Sequence, residues 1–174
     1  MQNAFSFRLM ALEFRIRDLF HPPINLLRKI GIREGMTVLD FGCGPGGFSI
    51  AAGQLVGNEG KVWALDIHPQ ALESTRRRAA GRGLDQINVI DGSNFSQIDS
   101  KSVDIVLLYD LLHHLSDSEG LLKKIAATLK GDGILSITDH HLPFESILRV
   151  VSSSGLFRLS GTIDRAAQFS LDVA

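Results

Sequence analysis

Met36-Thr-Val-Leu-Asp-Phe-Gly-Cys-Gly-Pro-Gly-Gly47 decides the fold of this chain. Val38 to Phe41 predicts a short buried strand that runs straight into three alternating glycines, Gly42, Gly44 and Gly46. A helical run, Phe48 to Val56, follows at once. Strand, glycine turn and helix in that order build a nucleotide-binding corner. Residues without a Cβ let the backbone turn sharply and let a ligand come close to it. The helix start adds unpaired N–H groups and a partial positive charge.

Outward from this corner the pattern is regular. Apolar runs predict strands at 36–41, 61–66, 87–91, 103–109 and 133–138. Helices are predicted near 46–57, 69–81, 117–130 and 144–153, with a shorter one near 94–99. Pro69 suits a first helical turn, and Ser116-Asp-Ser-Glu119 reads as a capping box. Gly131-Asp-Gly133 is expected to close that helix and open the next strand. Strands that alternate with helices imply a parallel sheet covered on both faces. The last two runs, Leu156 to Thr162 and Ala167 to Val173, have no helix-length connection and predict an antiparallel hairpin at the sheet edge.

Upstream, residues 5–20 read as an amphipathic helix, with Leu9, Leu12, Ile16, Leu19 and Phe20 at spacings of three and four. His21-Pro22-Pro23 breaks it, and Ile24 to Ile30 predicts a second helix capped by Gly31. The expected organisation is an N-terminal helical lid segment, 1–35, and one α/β domain, 36–174. Phe5, Phe7, Phe14 and Phe20 either line an apolar acceptor pocket under that lid or simply pack.

Composition narrows the partners. The 174 residues suit one domain, and 44% hydrophobic with 21% charged residues argues against disorder. A net charge of −1 leaves no broad basic field for a nucleic-acid backbone. Arg76, Arg77 and Arg78 fan around their helix as a solvated face. The single cysteine, Cys43, excludes an internal disulfide and fits a reducing compartment. No run is long and apolar enough to span a bilayer, and no signal peptide is visible, so a cytoplasmic protein is expected.

Glycines alone do not choose the ligand, because Gly42-x-Gly44-x-x-Gly47 also spells the dinucleotide fingerprint. Asp40, two residues before Gly42, separates the cases. A carboxylate there repels a pyrophosphate and suits a ligand with a cationic ammonium. The run Leu39-Asp-Phe-Gly-Cys-Gly-Pro-Gly46 resembles the first motif of the class I S-adenosylmethionine-dependent methyltransferases. The resemblance covers residues 36–173. It implies a Rossmann-like sheet of seven strands, mostly parallel, with helices on both faces and a C-terminal antiparallel hairpin. It also implies S-adenosyl-L-methionine as methyl donor and S-adenosyl-L-homocysteine as product.

Carried over residue by residue, the resemblance gives Asp40 to the methionine part of the donor, with backbone contacts from Gly42, Cys43 and Gly44. Asp66, 24 positions after Gly42, ends the second strand, where a carboxylate accepts from both ribose hydroxyls; it equally suits a helix cap before Pro69. Ile67 would lie against the adenine. Asp91 with Gly92 ends the third strand, either to accept from the adenine amino group or to make a turn. Tyr109 and Asp110 end the fourth strand, beside the reactive methyl group in this family.

Methyl transfer is a direct displacement, so the protein chiefly aligns the reactants and supplies a base where one is needed. The candidate catalytic residues are Asp110, His113, His114 and His140, with His141 beside them; the histidines either act as base or merely cap and pack. A sharper idea is a divalent cation between Asp110, Asp139 and His140. Motifs for base, glutamine or arginine methylation are absent, which leaves a small-molecule acceptor by elimination. The short chain gives little room for an acceptor domain: the acceptor is small, or a partner subunit, as in a homodimer, completes the site. The alternatives are an NAD-type oxidoreductase and a non-catalytic cofactor-binding subunit that supports a partner.

Overall fold

The computed structural model describes residues 20–172. The predicted helix over 5–20 lies outside them except at Phe20. The chain enters through α1 (Pro23–Lys29), which turns out through left-handed Gly31. It continues as β1 (Thr37–Phe41), α2 (Gly47–Val56), β2 (Lys61–Asp66), α3 (Pro69–Ala80), β3 (Ile87–Asp91) and a 3₁₀ segment, Gly92–Gln97. Then come β4 (Val103–Tyr109), a short 3₁₀ turn at Leu112–His114, α4 (Ser118–Thr128), β5 (Leu129–Thr138), α5 (Phe144–Ser153), β6 (Phe157–Ile163) and β7 (Ala166–Leu171).

The seven strands form one sheet in the order β3-β2-β1-β4-β5-β7-β6. β1 to β5 are parallel, and β7 inserts antiparallel between β5 and β6. Strand order therefore reverses between β1 and β4. In an open sheet of this kind the crevice outside the carboxyl ends at that point receives the ligand. The central strands carry near-continuous apolar runs because both their faces are covered. One face packs Leu121, Leu122, Ile125, Ile147 and Val151 of α4 and α5 against the sheet. The other packs Leu27, Ile50, Ala51, Ala52 and Val56 of α1 and α2.

Two boundaries differ from the sequence reading. β5 starts at Leu129, four residues before the predicted 133, and α4 stops at Thr128. Leu129 pairs with Val103, and a register shift between Val103 and Ile105 absorbs the intervening residues. The glycines at 131 and 133 thus serve an irregular strand start and not a helix end. Secondly, the cap of α4 is Asp117, whose carboxylate accepts from Gly120 N at 2.8 Å. Glu119, expected to close a capping box, pairs with Lys123 one turn on instead.

Candidate active site

The glycine corner is a closed hydrogen-bonded unit. Gly42 and Cys43 both donate to the Leu65 carbonyl, at 2.8 and 2.9 Å, and Gly46 donates to Cys43 O at 2.9 Å. Gly44 N donates to Asp66 Oδ2 at 2.9 Å. Every N–H from residue 42 to 46 (Pro45 has none) therefore has an intramolecular acceptor. From α3, Thr75 donates to Gly44 O, and Ser74 and Arg78 donate to Pro45 O. The three alternating glycines all have positive φ, for two of which tight packing adds a second reason. A Cβ on Gly42 would meet Leu111 Cδ2 at 2.8 Å, and one on Gly46 would meet Thr75 Oγ1 at 2.6 Å. A Cβ on Gly44 would meet nothing within 4 Å, so the loop presents open backbone at that residue.

Asp40 is only 2% exposed at the tip of β1. Its Oδ2 accepts the Ser49 hydroxyl at 2.5 Å, with the backbone amide of Ser49 adding to the pull. Burial is the largest influence on this carboxyl and, with the nearby charge of Asp66, raises it to about 6 against those hydrogen bonds. Ser49 lies in the first turn of α2, so the positive end of that helix already faces a carboxylate of the chain itself. Sequence reading missed Ser49 and Thr75, which acquire their partners only through the packing of α2 and α3, and it read Arg78 as part of a solvated face, whereas Arg78 turns in to the Pro45 carbonyl.

Asp66 lies beside the loop, with Oδ2 on Gly44 N and Oδ1 on His68 N at 2.9 Å. It braces both the loop and the entry to α3, and its two oxygens retain lone pairs outside those bonds. Ile67 stands 71% exposed. Gly92 makes room for it, since a Cβ there would meet Ile67 Cγ2 at 2.8 Å. Asp91 accepts from Ser93 N and Ser93 Oγ, at 2.9 and 2.6 Å, which holds its carboxyl below the usual range and makes the turn that starts the 3₁₀ segment.

Tyr109 is placed differently from the expectation of a ligand contact. Its side chain packs edge-on against Phe48 and its hydroxyl bonds Ser136 Oγ at 2.8 Å, inside the core. Burial raises the phenol. The strand end is apolar up to this residue and turns polar only at Asp110.

Asp110 has a positive φ of 52°, which redirects the chain at the end of β4. Its Oδ1 accepts from His140 Nδ1 at 2.7 Å and from His140 N at 3.1 Å. The reverse pair crosses it: Asp139, after β5, holds His113, after β4. His113 Nδ1 lies 2.9 and 2.8 Å from the two oxygens of Asp139, and His113 N and His141 N donate to the same carboxylate. Burial would raise Asp139, but these donors outweigh it and hold the carboxyl below the usual range. The rings of His113, His114, His140 and His141 pile up with neighbouring centroids 3.8 to 4.3 Å apart. The metal idea is not supported by this geometry. Asp110, Asp139 and His140 are divided between two pairs, and among the described residues no group of three His, Cys, Asp or Glu is placed to hold an ion.

Cys43 sits buried under the loop. Desolvation, then the charges of Asp40 and Asp66, push its thiol up, which makes it a packing residue and not a nucleophile. An open polar recess of about 600 Å³, lined by Asn58, Lys61, Asp85 and Gln86, lies at the other end of β2 and β3, away from these groups.

Comparison with known proteins fits this geometry. A family model described as "Methyltransferase domain" matches residues 32–160, and the chain belongs to that family. Demethylmenaquinone methyltransferase of Lactobacillus johnsonii is 29% identical over 129 residues, 72% of this chain and 52% of that protein. Aklanonic acid methyltransferase DauC of a Streptomyces species is 32% identical over 115 residues, 64% of this chain and 52% of that protein. The chain spans about half the length of these curated relatives. Among solved structures, a SAM-dependent methyltransferase from Aquifex aeolicus shares the fold at a TM-score of 0.75 and 23% identity, over 87% of this chain and 90% of that one. The [4+2]-cyclase SpnF shares it at 0.67 and 17%, over 80% of this chain and 57% of that one. Of the two owners of the glycine corner, the family match favours the methyltransferases over NAD enzymes. Among the described residues no helix is long and apolar enough to cross a membrane.

Proposed function

We propose that this protein is an S-adenosyl-L-methionine-dependent methyltransferase that methylates a small organic acceptor. One observation carries the reading: the anion at the start of α2 is Asp40, and the amides of the glycine loop are already bonded within the chain. A pyrophosphate needs both of those places. A cationic amino-acid tail needs neither, and it is attracted by a buried carboxylate.

The residues fit such a donor. Asp40 would hold the methionine end, which the missing Cβ at Gly44 leaves room to approach, Asp66 the ribose hydroxyls, and Ile67 with the turn at Asp91 and Gly92 the adenine. The donor itself supplies an activated methyl group. The chain's part is to orient it, to exclude water and to take a proton from the acceptor where one must leave. The relatives' names include methylation of a demethylmenaquinone and of aklanonic acid, which supports an organic acceptor of modest size.

Calorimetry with S-adenosyl-L-methionine, S-adenosyl-L-homocysteine and NADH tests the donor, and transfer of labelled methyl to a panel of phenols, amines and acids tests the reaction. Binding of the sulfonium nucleoside and its product, no binding of NADH and turnover of one acceptor class are expected. Donor binding without turnover on any class would favour a non-catalytic subunit, and tight binding of NADH alone would refute the reading.

A further inference from the structure

A polar row crosses the face of the sheet that α1 and α2 cover. Asp40, Leu107, Ser136 and Gln168 are register partners across β1, β4, β5 and β7, so their side chains share that face. Three strand spacings, roughly 14 Å, separate Gln168 from Asp40. Tyr109 and Thr138, which end β4 and β5 at the ligand crevice, stand two residues beyond Leu107 and Ser136. Ser136 Oγ lies 2.8 Å from the Tyr109 hydroxyl and accepts from Gln168 Nε2 at 2.9 Å. Gln168 Nε2 also donates to Ala166 O at 3.3 Å, and a carbonyl only accepts, so the amide is fixed in this sense and Oε1 points away from both. Among the described residues, Gln168 Oε1 and Ser170 Oγ, two residues along the same face of β7, are buried side-chain atoms without a partner. Gln168 is 5% exposed and Ser136 fully buried, so an unpaired carbonyl here is costly until a donor reaches it. The hydroxyl pair is unbalanced too. Tyr109 and Ser136 carry two hydrogens and share one bond, so one hydrogen is left unplaced. The group that completes the network gives a hydrogen to Gln168 Oε1 and takes one from the hydroxyl pair. A hydroxyl or a carboxamide does both; an ether, an ammonium or a carboxylate does not.

Resting on the methyltransferase reading, we propose that Gln168, with the Ser136–Tyr109 hydroxyl pair, is a specificity site for the acceptor, and that it takes a hydroxyl or carboxamide arm remote from the methylated atom. The arm donates to Gln168 Oε1 and accepts the unplaced hydroxyl hydrogen. Ser170 Oγ offers the next hydrogen-bonding place along β7 to a longer arm. No bond is made or broken here; the site reads the acceptor and orients its reacting end toward a donor anchored at Asp40. Gln168 is sealed, so the arm reaches it as the edge contact of Phe48 on Tyr109 at the strand end parts. An acceptor without the arm opens that contact and leaves Oε1 buried without a donor, and it is rejected for that reason.

Two measurements on the full chain test this. The first is labelled methyl transfer to naphthol, naphthylamine and naphthoate, each with and without a hydroxyl or carboxamide on the far ring. Wild type should favour the armed member of the reactive pair by roughly tenfold or more in kcat/KM. Gln168→Met, of similar length, should erase that preference and leave the Kd for S-adenosyl-L-homocysteine unchanged. Where Gln168→Met fails to fold, Ser136→Ala removes the donor side of the site and should cut the preference instead. The second follows the side-chain amide of Gln168 by NMR in uniformly ¹³C,¹⁵N-labelled protein, with S-adenosyl-L-homocysteine present. The armed naphthyl compound should shift the Gln168 carbonyl carbon and show a nuclear Overhauser contact from its arm to the amide hydrogens; the unarmed compound should do neither. Equal rates on both members of a pair, or a preference that survives Gln168→Met, overturn the proposal. So does a water contact at the Gln168 amide that persists at saturating armed compound, which would make this a structural water site only. Donor binding with neither turnover nor a shift at Gln168 refutes this site and leaves the methyltransferase reading to the wider acceptor panel. Absence of donor binding refutes both.

Discussion

Ser49 Oγ donates to Asp40 Oδ2 at 2.5 Å, and both residues are sealed from solvent. The pair joins the tip of β1 to the first turn of α2 across the glycine loop. It sets the charge at the point where the two classes of ligand for this corner differ.

Asp40→Asn keeps the size of the side chain and removes the charge. Calorimetry should show the affinity for S-adenosyl-L-methionine falling by about tenfold to a hundredfold, the worth of one charge-assisted contact of roughly 1.5–3 kcal/mol. Ser49→Ala should weaken binding less, because the carboxylate remains.

The same carboxyl makes stability depend on pH in a defined sense. Its folded pKa, about 6, lies above the unfolded value, so the native state holds the proton more tightly. The stabilising contribution is full below about pH 4, is lost as the pH rises toward 6, and is flat above. By linkage the ionised form costs about 3 kcal/mol at neutral pH. Melting of the ligand-free protein should therefore show Asp40→Asn more stable than wild type at pH 7.5, with the difference closing near pH 4.5. A cationic ligand favours the ionised form, so its Kd should rise about tenfold per pH unit below 6. Calorimetry at pH 5.5 in buffers of different ionisation heat should detect the released proton.

Gly46→Ala and Gly44→Ala separate backbone strain from collision. Gly46 combines a φ of +86° with a Cβ position 2.6 Å from Thr75 Oγ1, whereas Gly44 combines +51° with open space. Gly44→Ala should cost about 1 kcal/mol in denaturant melts, the left-handed penalty alone. Gly46→Ala should cost more, and Thr75→Ala should recover the excess but not the first part.

Ile67→Ala should leave the melting temperature within about 1 °C, since a residue 71% exposed contributes little to the core. It should weaken S-adenosyl-L-homocysteine several-fold through lost apolar contact. Gly92→Ala, which forces Ile67 aside, should weaken the nucleoside in the same direction.

Cys43 is buried and its thiol is pushed up, so a disulfide reagent should label it only when the chain opens. The labelling rate should rise with denaturant and fall with bound donor. Fast labelling in the native state would contradict the packing described for the loop.

Much of the frame was legible because its signals are local. β2, β3 and β4 fall on the predicted residues, since each is an apolar run between turn-formers. The start of β5 was not legible, because it depends on Leu129 meeting Val103, 26 positions back, across a register shift. Asp40 and Asp66 stand at the ends of β1 and β2, where the sequence put them. Tyr109 could not, because the direction in which a strand-end side chain points depends on what packs over it, here Phe48 and Ser136. The histidines were visible as two pairs of neighbours in sequence, yet the hydrogen-bonded Asp–His pairs run between the two strand ends.

The order of elements, the glycine corner and the acid before it are written in local signals, because hydrophobic period and missing Cβ atoms act within a few residues. Which donors each carboxylate meets depends on the packed sheet: Ser49 for Asp40, Gly44 for Asp66, His113 for Asp139, His140 for Asp110. Those partners lie 9 to 30 positions apart. A hydrogen bond of 2.5–2.9 Å between such groups exists only once the sheet has brought its strand ends into register.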